Sequence, residues 1–221
     1  RDDNNQYIKY SSLNGDYADT PLAIFKLAER YFLEAEAILR WGDNDGSYVE
    51  SYVKGIQEMF AEHNLPREGS EFGLYYSQMA ATPTQYVDPY DPRNNANSLI
   101  TIGVAIDPSE PKPVILEKII TQKWLALFPM GLEAWNDLRR TGYPRIFPTD
   151  DIGDGSLGNG FMIRRIRWND NDAAAANDIL LTGIPALGGL PNMMGSYLWW
   201  DVPDETGLGD NRRWETGGNN N

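Results

Sequence analysis

The sequence has no cysteine and one histidine, His63, among 221 residues. The first absence excludes disulfides, thiolate nucleophiles and cysteine-rich metal sites. The second leaves any Ser-His-Asp triad resting on a single residue. That residue sits near the predicted end of a helix, where a cation suits the helix dipole, so its expected role is structural. Positive charge is scarce as well: 19 Lys and Arg stand against 32 Asp and Glu, for a net charge of −13. This balance argues against a nucleic-acid partner. No apolar run approaches the roughly 18 residues of a membrane span. No glycine-rich phosphate loop lies between a strand and a helix. An initiator methionine is missing too, since the chain starts at Arg1. The expectation is a fragment of a longer precursor, whose N-terminus would carry any signal or lipid anchor.

Glycine and proline are plentiful, at 21 and 14 residues, so loops must be extensive. Apolar residues make up 41%. A chain of this size buries about 70% of its extended surface, enough for one domain spanning the whole length. The tail from about residue 205 to 221, ending "TGGNNN", is expected to be disordered.

The segment "TPLAIFKLAERYFLEAEAILRWG" predicts a helix near 20–41. Thr20 suits the N-cap, Pro21 the first helical position and Gly42 the C-cap. Phe25, Ala28, Phe32, Ala35 and Leu39 form one apolar stripe, and Ile24, Leu27, Tyr31 and Ile38 a second. Two stripes imply packing on two sides. A second helix near 47–62 carries Val49, Tyr52, Val53, Ile56 and Phe60 at helical period, with Ser47 and Glu50 at capping-box spacing. Gly55 within it costs about 1 kcal/mol against alanine, which a close helix crossing would explain. A second helical hairpin is expected from 112–128 and 131–141, broken at Phe128-Pro129 and closed by Gly142 and Pro144. One face of its first helix is Leu116, Ile119, Ile120, Trp124, Leu127 and Phe128, with the stem of Lys123; its second helix turns Leu132, Trp135 and Leu138 inward. Leu27, Phe32, Trp124, Leu127 and Trp135 are expected in the shared core.

Residues 65–111 are rich in Pro, Gly, Asn and Tyr. They predict long loops, one short helix near Tyr75–Ala80 and a short strand in "SLITIGVAI". Ordered loops of this length are often functional. Tyr75, Tyr76, Tyr86 and Tyr90 alternate there with Gln78, Gln85, Asp88 and Asn94. Aromatic faces beside amides and carboxylates fit sugar rings, so these tyrosines are the candidate ligand contacts. The same rings would equally serve to pin the loop to the helices. Beyond Pro148 a short helix over Ala173–Leu181 is expected, with irregular chain packed by Trp168, Leu198, Trp199 and Trp200.

Four passages, in order, resemble the SusD/RagB family of outer-membrane nutrient-binding lipoproteins. "LAERYFLEAEAILRWG" at 27–42 is similar to the family's helix with a YAE…AEA pattern. "QKWLALFPMGLEAWNDLRRTGYP" at 122–144 resembles its QKW…EAWND…RRTGYP segment. Arg164 to Asn177 resembles its RR..YP..E...N segment, with Trp168-Asn169 in place of Tyr-Pro, and "YLWWD" at 197–201 its C-terminal WWD. The likeness runs from Ala23 to Asp201 and matches the C-terminal half of a family member. It implies a mainly α fold of tetratricopeptide-like helical hairpins with long irregular loops packed on them. It also implies a surface-exposed protein of the outer membrane, attached only through an N-terminal lipid absent from this chain. Such a protein captures an oligosaccharide, or in some members a peptide, for a TonB-dependent, SusC-like transporter. No enzymatic activity and no cofactor are implied.

Other residue patterns carry rival chemistry. Glu133 and Asp137 stand at i, i+4 on one helix face. Paired carboxylates cleave glycosides when held about 5 to 9.5 Å apart with one raised pKa. Lys123, Arg139 and Arg140 nearby predict ion pairs instead, and exposed pairs contribute about 0 to 1 kcal/mol each. "DNDG" at 43–46 and "DDIGDG" at 150–155 are oxygen-rich but lack EF-hand spacing, so turns are expected and no metal. Arg164, Arg165 and Arg167 are expected to satisfy carboxylates. Glycan capture, a carboxylate-pair glycoside hydrolase and a structural helical scaffold are the three readings. The absences above disfavour the hydrolase, and the residues leave glycan and peptide undivided.

Overall fold

The computed structural model describes residues 23–42, 47–147, 163, 165–168, 179–187, 192–194 and 196. The described chain is mainly helical: α1 (Leu27–Trp41), α2 (Tyr48–Glu62), α3 (Ser70–Tyr76), α4 (Lys112–Ala126) and α5 (Gly131–Thr141). Two short strands, β1 (Gln85–Tyr86) and β2 (Ala96–Asn97), pair antiparallel, with Gln85 opposite Asn97. A π-helical turn follows at Ile179–Gly183 and a 3-10 turn at Pro185–Leu187. The expected helix over Ala173–Leu181 is therefore met only at its end, because 173–178 lie outside the described residues. The tail, both aspartate-rich turns, Thr20, Pro21, Arg164, Leu198, Trp199 and Trp200 lie outside them as well.

Helices α1 and α2 form one hairpin, α4 and α5 the other, and α4 packs on α1 and α2. Ala28, Phe32, Ala35 and Leu39 of α1 meet Tyr52, Ile56 and Phe60 of α2 and Ile115, Leu116, Ile119 and Ile120 of α4. This is the shared core that the first apolar stripe predicted. Gly55 does mark a close crossing: a Cβ built there would stand 2.8 Å from the Phe32 ring. Gly55→Ala should therefore lower stability by about 1 kcal/mol or more, because overpacking outweighs the gain in helix propensity. Urea unfolding measures this, and a variant as stable as the parent would mean that the Phe32 ring yields.

Several expectations fail for physical reasons. Helix α1 starts at Leu27, after an extended Lys26 N-cap, so Ile24 and Phe25 precede the helix and are exposed. Leu27 is 54% exposed, and the second buried face of α1 is ionic: Glu29, Glu36 and Arg40. Ser47 is the N-cap of α2, but its side chain makes no capping bond, and Glu50 pairs with Lys54 instead. The central helix α4 is buried continuously from Ile115 to Lys123, while Trp124 beyond it is 38% exposed. On α5, Ala134, Asp137, Leu138 and Thr141 turn inward; Leu132 is exposed and Trp135 only half-buried, under the Arg139 guanidinium. Among the described residues, Arg165 donates to Asn192 Oδ1 and the Met193 carbonyl and lies over the Trp168 ring, with no carboxylate beside it there. His63 caps the C-terminus of α2, as its position in the sequence suggested.

Candidate functional site

The loop region is an excursion that leaves the core after α3 and returns before α4. Residue Gln78 anchors its base: its carbonyl accepts from the Val104 and Ala105 amides at 2.7 and 2.9 Å. Farther out, Ala81 N donates to Thr101 O at 3.2 Å and Ser98 N to Thr84 O at 2.8 Å. The two arms thus run antiparallel as far as β1 and β2. The strand expected in "SLITIGVAI" is reduced to one bridge, Ile102 with Ala80. At Gly103 the arms approach so closely that a side chain would overlap the Gln78 carbonyl and the Met79 backbone.

The tip is shaped by two aspartates. Asp88, 6% exposed, accepts from the Tyr90 and Asp91 amides at 2.8 and 3.0 Å, while its own amide donates to Asn95 Oδ1 at 2.8 Å. Asp91 bonds the Arg93 side chain, which holds its carboxyl down to about 2. This framework leaves Tyr86 and Tyr90 facing outward, 41% and 48% exposed. Phe147, from the far end of the chain's second hairpin, tilts against Tyr86 with ring centres 6.1 Å apart.

Tyr75 and Tyr76 are placed differently. Helix α3 begins at Ser70, not near Tyr75, so Phe72, Tyr75 and Tyr76 fall at i, i+3 and i+4 and turn together onto the core. The Tyr75 hydroxyl donates to Gln122 Oε1 at 2.7 Å, and its ring meets Phe60. Tyr76 stacks on Phe72 and leans on Tyr52. Burial pushes both phenols upward in pKa. The structure therefore divides the four tyrosines into an outer pair on the tip and a half-buried pair on α3. Phe147 escaped the sequence reading, because nothing local to "YPRIFP" points to a ring across the molecule.

A cleft of about 560 Å³ lies between α1 and α5. The acids at issue in the hydrolase reading line it. Asp137 bonds Lys123 at 2.8 Å and Arg140 at 2.7 Å, so it is ion-paired as expected. It is buried, however, not on the surface, and the small worth of an exposed pair does not apply to it. Glu36 bonds both Arg40 and Arg140. Glu29 lies 3.7 Å from Lys123; burial raises its pKa, and Lys123 opposes the rise only in part. An acid tied to two cations is placed as framework, not as a nucleophile. Among the described residues no cluster of acids and histidine has metal-ligand geometry, and no helix is long and apolar enough to cross a membrane.

The fold and sequence match known proteins. The SusD-like family model, described as SusD and RagB outer membrane lipoprotein, covers residues 1–201. A chitin-binding SusD homologue from Flavobacterium johnsoniae is 38% identical with a TM-score of 0.67, over 81% of this chain and 36% of that one. A SusD homologue from Bacteroides vulgatus is 34% identical with a TM-score of 0.69, over 84% of this chain and 36% of that one. A SusD-like protein from Bacteroides thetaiotaomicron is 29% identical with a TM-score of 0.68, over 86% of this chain and 39% of that one. The chain thus spans little more than a third of the length of these structures. No curated protein matches it. With two helical hairpins built as the sequence motifs require and a family match running through nearly all of it, this chain belongs to the SusD/RagB family of outer-membrane lipoproteins.

Proposed function

We propose that this chain forms part of a non-enzymatic cell-surface protein that captures an oligosaccharide and delivers it to a TonB-dependent transporter. The observation that carries the reading is the exposed aromatic tip, Tyr86 and Tyr90 with Phe147 beside Tyr86, held out on an ordered loop among amides and carboxylates. Rings of this kind cover the apolar faces of sugars, and the polar neighbours bond hydroxyls. The chitin-binding homologue among the similar structures points to the same class of ligand. Tyr75 and Tyr76 contribute in this reading by fixing α3, and with it the base of the loop, on the core.

Calorimetric titration with N-acetylglucosamine oligomers and a wider glycan panel tests this. Tyr86→Ala and Tyr90→Ala should each weaken binding several-fold and leave Tm unchanged, since stacking on an aromatic ring is worth about 1 kcal/mol at the lower end of the range for base stacking. Tyr75→Ala should instead lower Tm, through loss of the Gln122 bond and the Phe60 contact. Parent-like binding by both tip variants would move the site elsewhere. Preference for peptides over every glycan would replace the ligand class.

A further inference from the structure

The α1–α5 cleft contains a carboxylate whose bonding is incomplete. Glu29 is 5% exposed and lines the cleft. Its Oε1 lies 3.7 Å from Lys123 Nζ, too far for a hydrogen bond, and its Oε2 accepts none. Lys123 sits closer to Asp137, at 2.8 Å, and Arg140 is shared between Glu36 and Asp137. Lys123 and Arg140 are thus engaged with other acids, while Arg139 donates to Asn136 Oδ1 and lies over the Trp135 ring. Buried carboxylates in folded proteins are normally paired or fully hydrogen-bonded, so this one calls for a donor.

The surroundings say what kind. Glu133 stands exposed on α5, near enough that its charge acts on Glu29. Four carboxylates line the cleft against three cations, which disfavours an anion. A hydroxyl would supply a donor but no charge. An ammonium supplies three donors and a full positive charge. Along α1, Glu29 is followed at every fourth residue by Leu33, Ala37 and Trp41, all on the cleft wall. Leu33 and Trp41 are exposed. At 1.5 Å per residue the stripe runs about 18 Å, so Glu29 and Trp41 meet opposite ends of anything bound there.

We propose that this cleft binds an elongated small ligand by a primary ammonium at one end, seated between Glu29 and Glu133, with its body along Leu33 and Ala37 toward the Trp41 indole. Two sources share this chemistry: an oligosaccharide with a free amino group, and the N-terminus of a short peptide. The site uses none of the tip residues, so it stands or falls apart from the loop reading.

The test is calorimetric titration of the 221-residue chain with four probes. These are a tetraglucosamine, its fully N-acetylated form, pentaalanine amide and N-acetyl-pentaalanine amide, chosen because about 3.3 to 3.6 Å per extended residue lets five residues reach along the roughly 18 Å stripe. At least one free amine should bind, and its acetylated partner should bind about ten-fold more weakly or not at all; the amine that binds identifies the source. Glu29→Gln should weaken it about ten-fold. Glu133→Gln and Trp41→Ala, both at exposed positions, should each weaken it several-fold while the circular dichroism spectrum stays that of the parent. They keep the test sharp if Glu29→Gln misfolds. The proposal is overturned if neither amine binds, if an acetylated probe binds as well as its amine, or if Glu133→Gln and Trp41→Ala both bind like the parent.

Discussion

Glu36→Gln is expected to destabilise the chain by about 3 to 5 kcal/mol, the usual cost of breaking a buried charge pair from one side. The side chain is 5% exposed and ties α1 to α5. Arg40 Nε reaches its Oε1 at 2.7 Å, and Arg140 Nη2 its Oε2 at 2.8 Å. A neutral amide cannot satisfy both guanidinium groups, and Arg40 is itself buried, at 2%. Thermal unfolding should show a fall of roughly 10 °C for a chain of this size. The pH dependence follows from the same bonds. Burial alone would raise the Glu36 carboxyl, but Arg140 and then Arg40 outweigh it, and the group titrates below its ordinary value of 4.5. Its stabilisation is therefore fully present above pH 4.5 and is lost as pH falls through the lower, folded value. The parent should weaken across that window more steeply than Glu36→Gln does. Parallel pH profiles would show that the pair adds nothing to folding.

Lys118→Met should cost about 2 to 4 kcal/mol, although it preserves the apolar stem. Lys118 is 1% exposed in the middle of α4, and its ammonium bonds Glu110 at 2.6 Å and the Ala105 carbonyl. Glu110 is 23% exposed and can recover some water, which keeps the figure below that for Glu36. Lys54→Met is the matched control, since Lys54 and Glu50 are 46% and 73% exposed; it should leave stability close to that of the parent. Hydrogen exchange adds a local readout. The Val104 and Ala105 amides should exchange faster in Lys118→Met, because the segment they close has lost its tether to α4. Equal effects of the two lysine changes would mean that burial does not set the worth of these ion pairs.

The helices were legible where local chemistry marks both ends. Helix α5 runs from Gly131 to Thr141 with Gly142 as its C-cap, as the punctuation in "FPMGLEAWNDLRRTGYP" predicts. The first stripe of α1 and the Gly55 crossing were equally plain, since periodicity and helix propensity report them directly. The second face of α1 was not. Hydropathy assigns Glu29, Glu36 and Arg40 to the surface, whereas Arg140, 104 residues away, makes the burial of Glu36 possible. The same blindness put Leu27, Trp124 and Leu132 inside, because apolar character alone does not say which stripe finds a partner. In the loop, composition located the tyrosines but not the register of α3, which decides that Tyr75 faces inward while Tyr86 faces out. Phe147 came beside Tyr86 only through tertiary folding.

The excursion between α3 and α4 is closed at its base three times over. Gln78 holds Val104 and Ala105, the buried Tyr52 hydroxyl bonds the Val104 carbonyl at 2.6 Å, and Lys118 grips Ala105. None of these bonds involves the tip. Apart from the Tyr86–Phe147 ring contact, the base closure does not depend on which residues occupy 85–97, so the tip is set out as an exchangeable cassette. On the function proposed above, a change of ligand preference would be made there without renegotiating how the two hairpins fold.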